Sequence, residues 1–325
     1  MAVQGRITRR ALLAAPALLP AAARADWVPA GPIRILVGFA PGGTADITAR
    51  IAQEAVQRRT GQTLVVENRS GALGFIAAQA VARAPADGLI LGIVIMGMLG
   101  VAPVVPGSGI PFDVDRELSL VCNLTGTPMA LISRPDAPWR DVAGLVAWAR
   151  ARPGEVTYAS TGNGSTNQLA AEHFATEAGL RLTHVAYRGG APAALDVAAG
   201  RVDLLFANIA EVAEMIRGGK VQALGLAAAH PSPLAPEMPL LTRDYPALDM
   251  NNWFGLAGPA GLPTPVTEAL GRLFIGAMTD PQTRAVLAAR GLDPLPEPAA
   301  AFAARIAADR ARWSRVVAAG NIRAD

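Results

Sequence analysis

The chain has 325 residues, 51% of them hydrophobic, which is enough for two domains with substantial cores. Four of its 29 basic residues, Arg6, Arg9, Arg10 and Arg24, fall in the first 25 residues, where there is no acid. The remaining 25 therefore face 26 acidic residues. That balance gives no electrostatic reason to expect nucleic acid or an anionic membrane surface as partner.

Residues 1–25 read as an export leader: arginines, an apolar run over 11–23, and Ala23-Arg24-Ala25 as a small-x-small cleavage site before Asp26. Thr8-Arg9-Arg10-Ala11-Leu12-Leu13 resembles a twin-arginine signal, and a general secretory leader is the other reading. Either route predicts a periplasmic mature protein, with cleavage near Ala25. Cys122 is the single cysteine, which excludes an intramolecular disulfide, and in the apolar run 118–124 it reads as a buried small hydrophobe.

The first predicted element is a buried strand over 33–39. Pro41, Gly42 and Gly43 then force a turn, and Thr44 opens a helix to 59. A strand, a glycine turn and a helix start aim unpaired N–H groups and a helix dipole at one point, which suits an anion such as a carboxylate. An ordinary strand-to-helix loop is the alternative. Asp46, in the first helical turn, is explained as well by the dipole as by a ligand.

Strand 64–67, helix 74–83 and strand 89–95 follow, the last leading to a loop that includes Met98. The uncharged stretch 89–105 is too short and too rich in Gly and Pro for a membrane span. The alternation pauses at 112–128. It resumes with helix 142–152, strand 156–159, helix 168–178, strand 184–187, helix 191–199, strand 202–206, helix 211–217 and strand 223–227. The proline-rich stretch 231–246 leads to Asn252-Trp253-Phe254, and consecutive helices are expected at 264–278, 281–290 and 299–319. Such alternation predicts an α/β fold with mostly parallel strands. The two interruptions read as domain crossings, with a ligand cleft between the lobes.

Ligands gather at the carboxyl ends of parallel strands. Candidate loops there, besides 41–44, are Ser160 through Asn167, Tyr187-Arg188-Gly189-Gly190 and Ala207-Asn208. Ser165 or Thr166 is equally an N-cap or a ligand contact, and Arg188 either pairs with a carboxylate or faces solvent. No enzyme signature is complete. Ser165 lacks a Gly-x-Ser-x-Gly elbow, and His173, His184 and His230 have no zinc-ligand spacing. Gly218-Gly219-Lys220 is not a P-loop. No cofactor or metal is expected.

In order along the chain, Val37-Gly-Phe-Ala-Pro-Gly-Gly43 with Asp46, Gly61-Gln62, Val65-Val-Glu-Asn-Arg69 and Ala84-Pro-Ala-Asp-Gly88 form a pattern. It continues through Tyr158-Ala-Ser160, His184-Val-Ala-Tyr-Arg-Gly-Gly190, Gly200-Arg-Val-Asp203 and Trp253-Phe-Gly255. With these motifs behind an export leader, the chain resembles the tripartite tricarboxylate transporter substrate-binding proteins, or Bug receptors, over essentially its whole mature length.

The resemblance implies a type II periplasmic-binding-protein fold, with residues 26–125 and 250–325 as lobe 1 and 126–249 as lobe 2. It also implies a small organic acid as ligand, a two-subunit membrane permease as partner, and a monomer. The expected ligand contacts in lobe 1 are Phe39, Pro41, Gly42, Gly43, Thr44, Asp46 and Met98. Those in lobe 2 are Gly162, Asn163, Ser165, Thr166, Tyr187, Gly189 and Asn208. Three positions depart from the family pattern: Gln168 where His is frequent, Ala207 where Asp often precedes Asn, and Ala186 where Pro is common. An exported hydrolase using Ser165 and a receptor that signals to a membrane sensor are the alternatives.

Overall fold

The computed structural model describes Met1 and residues 27–187, 189–320 and 322–324. The expected leader beyond Met1, and Arg188, lie outside the described residues. The first half of the chain runs β1 (Ile33–Val37), α1 (Thr44–Thr60), β2 (Leu64–Asn68), α2 (Phe75–Ala82), β3 (Ile90–Ile95), α3 (Val114–Glu117) and β4 (Leu118–Ser133). Next come α4 (Val142–Ala151), β5 (Thr157–Ser160), α5 (Thr166–Ala178), β6 (Thr183–Ala186), α6 (Gly190–Ala198), β7 (Leu204–Asn208), α7 (Ile209–Arg217) and β8 (Gln222–Ala227). The chain closes with β9 (Asn251–Pro259), α8 (Thr264–Met278), α9 (Pro281–Ala289), β10 (Asp293–Pro298) and α10 (Ala299–Gly320).

The βα alternation produces two parallel blocks, β2-β1-β3 and β7-β5-β6. Among the named strands, every antiparallel pairing involves one of two longer strands, β4 or β9. β9 continues the first block. β4 pairs with β9 from Leu118 to Pro128, then switches partners and runs between β7 and β8 from Met129 to Ser133. One strand thus belongs to both halves of the molecule. Register shifts near Cys122 and Thr125 mark bulges, which bend and twist a strand locally.

Burial follows the strand period of two. In the second half Met129 and Leu131 of β4, Tyr158 of β5, and Leu204 and Phe206 of β7 join one core, continuous with that of the first half. Their neighbours Ala130, Ile132, Ala159, Leu205 and Ala207 face a separate core under α6 and α7. Helices cover both faces, so these strands read as unbroken apolar runs. Cys122 is fully buried, and burial pushes its thiol far above the ordinary range.

Two expectations are corrected. The stretch after β3 is not an open loop: Gly97–Val101 forms a π-helical turn packed against α10. The C-terminal helices are not consecutive, because β10 pairs antiparallel with β4 between α9 and α10. Its three prolines, Pro294, Pro296 and Pro298, hid it, yet proline is tolerated on an edge strand that has a free side. Among the described residues no helix is long and apolar enough to cross a membrane.

Candidate functional site

A cavity of about 840 Å³ opens between the two halves. Its wall is assembled from loops at the carboxyl ends of the parallel strands, together with Asn252 and Phe254 of β9. Four helices begin at this wall: α1 after Gly43, α5 after Ser165, α6 after Gly189 and α7 after Asn208. Each brings the positive end of its dipole, so the site favours negative charge before any side chain is considered.

The α1 turn is shaped by backbone. Gly42 has a φ of 85°, which an L side chain rarely adopts. Its N–H donates to Asp46 Oδ2 at 2.9 Å, and the same carboxylate accepts from Arg50 Nε and Asn68 Nδ2, each at 2.9 Å. Burial alone would raise the pKa of Asp46, but the bonds from Arg50, Gly42 and Asn68 outweigh it and hold the carboxyl below its ordinary range. Beside this turn a Cβ on Gly38 would stand 2.3 Å from Gly74 Cα, so the 71–74 turn presses on the end of β1. Ala72 and Leu73 take φ values of 48° and 52° there, both in the left-handed region and both on the cavity wall.

The serine loop is built from side chains. Ser165 caps α5 by accepting the Gln168 N–H at 3.3 Å, while Gln168 Oε1 takes the Gly164 N–H at 2.7 Å. Ser160 Oγ accepts the Gly162 N–H at 3.1 Å and lies 2.6 Å from His184 Nε2. Burial lowers the pKa of His184, which favours the neutral imidazole. Gln168 therefore ties the helix start to the loop.

Twelve of the fourteen expected contacts line the cavity: Phe39, Pro41, Gly42, Gly43, Thr44, Gly162, Asn163, Ser165, Thr166, Tyr187, Gly189 and Asn208. Asp46 and Met98 are not on the wall. Asp46 is 2% exposed and turns inward to hold the loop. Met98 is fully buried in the π-helical turn, behind Gly74.

Glu211 was missed. It lines the cavity from the first turn of α7, and among the described wall residues it alone carries a charge. Its Oε1 accepts from Thr44 Oγ1 at 2.7 Å and from Asn208 Nδ2 at 3.1 Å, with the Thr44 N–H at 3.5 Å. The spacing Asn208-x-x-Glu211 reads as a capping box, but α7 has no side-chain cap and the carboxylate reaches across to the start of α1 instead. Asn208 also donates to Thr44 Oγ1 at 3.2 Å and accepts from Asn252 Nδ2 at 3.1 Å. These bonds join the two halves over the cavity. Among the described residues no group of His, Cys, Asp and Glu could hold a metal ion.

The model of the tripartite tricarboxylate transporter family receptor matches residues 48–322. The chain belongs to that family. Protein BugT of Bordetella pertussis is 32% identical over 98% of this chain and 96% of its own length. A solved periplasmic transporter is 31% identical, with a TM-score of 0.84 over 91% of this chain and 99% of that one. A Rhodopseudomonas palustris protein solved with adipate is 29% identical, with a TM-score of 0.85 over 92% of this chain and 99% of the other. The two-lobed α/β architecture is accordingly that of periplasmic binding proteins, as the sequence motifs implied.

Proposed function

We propose that this protein is a periplasmic receptor that captures a small carboxylate-bearing solute between its lobes and hands it to a two-subunit membrane permease of the tripartite tricarboxylate type. The observation that carries the reading is the convergence of four helix N-termini on one cavity between the halves. Each such end contributes about 0.3–1 kcal/mol toward an anion when exposed and up to about 2 when partly buried, so several together make a site where one would not. The relative solved with adipate supports the ligand class.

In this reading lobe 1 comprises residues 26–125 and 250–325, and lobe 2 comprises 126–249. The twelve wall residues contact the ligand, directly or through water, and Asp46 positions the α1 turn. The leader is removed near Ala25, and the mature receptor acts as a monomer without catalysis. Two contacts count against a hydrolase: Ser165 Oγ is engaged as the α5 cap, and the His184 ring contacts the buried Ser160.

Thermal-shift screening of the mature protein against mono-, di- and tricarboxylates, amino acids and neutral sugars tests the proposal. A cognate acid at a hundredfold excess over its Kd raises stability by about 2.7 kcal/mol. A response to sugars with none to any organic acid overturns it.

A further inference from the structure

The α1 N-terminus, where the sequence calls for a ligand's anion, is already faced by an anion of the protein. Glu211 Oε1 takes the Thr44 hydroxyl and the Asn208 amide, and its Oε2 sits 2.9 Å from where a Cβ on Gly190 would stand, at the start of α6.

This carboxylate also fixes its neighbours. It can only accept, so Asn208 must turn its NH₂ toward Glu211 and its Oδ1 away. Asn208 Oδ1 in turn requires the NH₂ of Asn252, at 3.1 Å. Asn252 Oδ1 is left as a buried acceptor with no partner, on a residue that is 6% exposed and lines the cavity. The orientations of the two amides follow from the glutamate and cannot be reversed independently. One corner of the cleft therefore presents an exposed carboxylate and, buried beyond the Asn208 amide, an unpartnered carbonyl oxygen, both acceptors.

We infer that the Glu211–Asn208–Asn252 corner recognises a protonated amine, so that the solute is amphoteric, with one carboxylate and one ammonium group separated by a short aliphatic chain. The inference rests on the carboxylate-receptor reading and narrows it. The ligand's carboxylate goes to the serine loop at the start of α5, and its ammonium goes to Glu211 and Asn252 Oδ1. A second carboxylate at that corner meets like charge and an acceptor with nothing to accept. Glu211 is exposed to cavity water, so its selection is screened rather than absolute.

The test is calorimetric titration of the mature protein with length-matched pairs: 4-aminobutyrate against glutarate, and 5-aminopentanoate against adipate. The amino member of a pair binds more tightly to the wild type. Glu211→Gln keeps an oxygen for Thr44 but removes the charge, and it shifts the ratio toward the diacid by about tenfold or more. Glu211→Asp withdraws the carboxylate by one methylene and serves as a second variant, with a shift of smaller size and the same sign. Thermal midpoints near the wild-type value establish folding. Tighter binding of diacids by the wild type, with a ratio that Glu211→Gln changes by less than about twofold, overturns the inference and leaves the receptor reading intact. Failure of every acid and amino acid to bind removes the receptor reading itself. A shift of the same size and opposite sign from Arg188→Ala, which changes the net charge by one unit in the other direction, assigns the selectivity to the net charge of the protein and overturns the assignment to this corner.

Discussion

The two loops that face each other across the cavity are made by different means. The turn before α1 gets its shape from glycine and from one inward carboxylate, and the helix start behind it has no side-chain cap. The serine loop gets its shape from its own hydroxyl, amide and imidazole groups, and α5 is capped by Ser165. The first loop thus leaves its helix end open to whatever anion approaches, which here is Glu211 of the opposite half. The second has satisfied several of its donors locally. An anion-binding cleft does not need equivalent walls, and the open wall is where a single acidic side chain from across the gap sets the preference.

Removing the support of the first loop has the largest effect. Asp46→Ala leaves the Gly42 N–H without its acceptor and removes one of the two bonds of the Asn68 amide, which keeps Phe39 O, and it lowers stability by about 2–3 kcal/mol in urea unfolding. Asp46→Asn separates charge from shape through pH. The native pKa of Asp46 is depressed, so its contribution is complete above the ordinary carboxylate value of 3.8 and is lost as pH falls through the lower native value. Stability of the wild type should fall more steeply below pH 3.8 than that of Asp46→Asn, as followed by urea midpoints.

Next in size is the bridge between the halves. Thr44→Val deletes the hydroxyl that donates to Glu211 and accepts from Asn208, at a cost of about 1–2 kcal/mol in the same assay. Ser165→Ala then removes the α5 cap for about 1 kcal/mol, and it leaves activated-ester turnover at the solvent background in both proteins.

The smallest effect separates the loops by pH. His184 has a pKa below its ordinary 6.5 because it is buried. Below pH 6.5 the unfolded chain takes up a proton that the native imidazole resists, so stability declines as pH falls from that value toward the native pKa. Hydrogen-exchange protection across 160–168, corrected for the intrinsic pH dependence of amide exchange, should fall in that window while protection of residues 41–46 stays unchanged. Equal loss of protection in both loops erases the contrast.

Much of the fold was legible because apolar runs and glycine turns report local structure. β1, α1, β2 and β3 fall within a residue or two of their predicted places. β10 was not, since proline suppresses the strand signal while its edge position tolerates it. Neither was the extent of β4, whose 16 residues exceed what any single apolar run displays. At the site, backbone turns announced themselves through Pro41, Gly42, Gly43 and Gly162. Glu211 did not, because an acid three residues after an N-cap asparagine is already explained by its own helix. What makes it part of the site is an approach to Thr44 across 167 positions of sequence, which no local pattern encodes. Met98 erred in the other direction: it follows a strand end, but the π-helical turn carries its side chain into the core.

The path of β4 has a practical consequence. Met129 N–H donates to Met250 O at 3.3 Å, and Met250 N–H donates to Ala227 O at 2.9 Å, so the chain leaves for the second half and returns from it at adjacent residues. The main-chain crossing into and out of residues 130–249 is thus confined to one paired position, while α5 within that segment still packs on α10 of the first half, as in the His173–Trp313 contact. Exchanging residues 130–249 with those of another Bug receptor would transplant one cleft wall onto a foreign partner, with the α5–α10 contact as the seam to repack, and the hybrid would reveal which wall dictates the choice of solute.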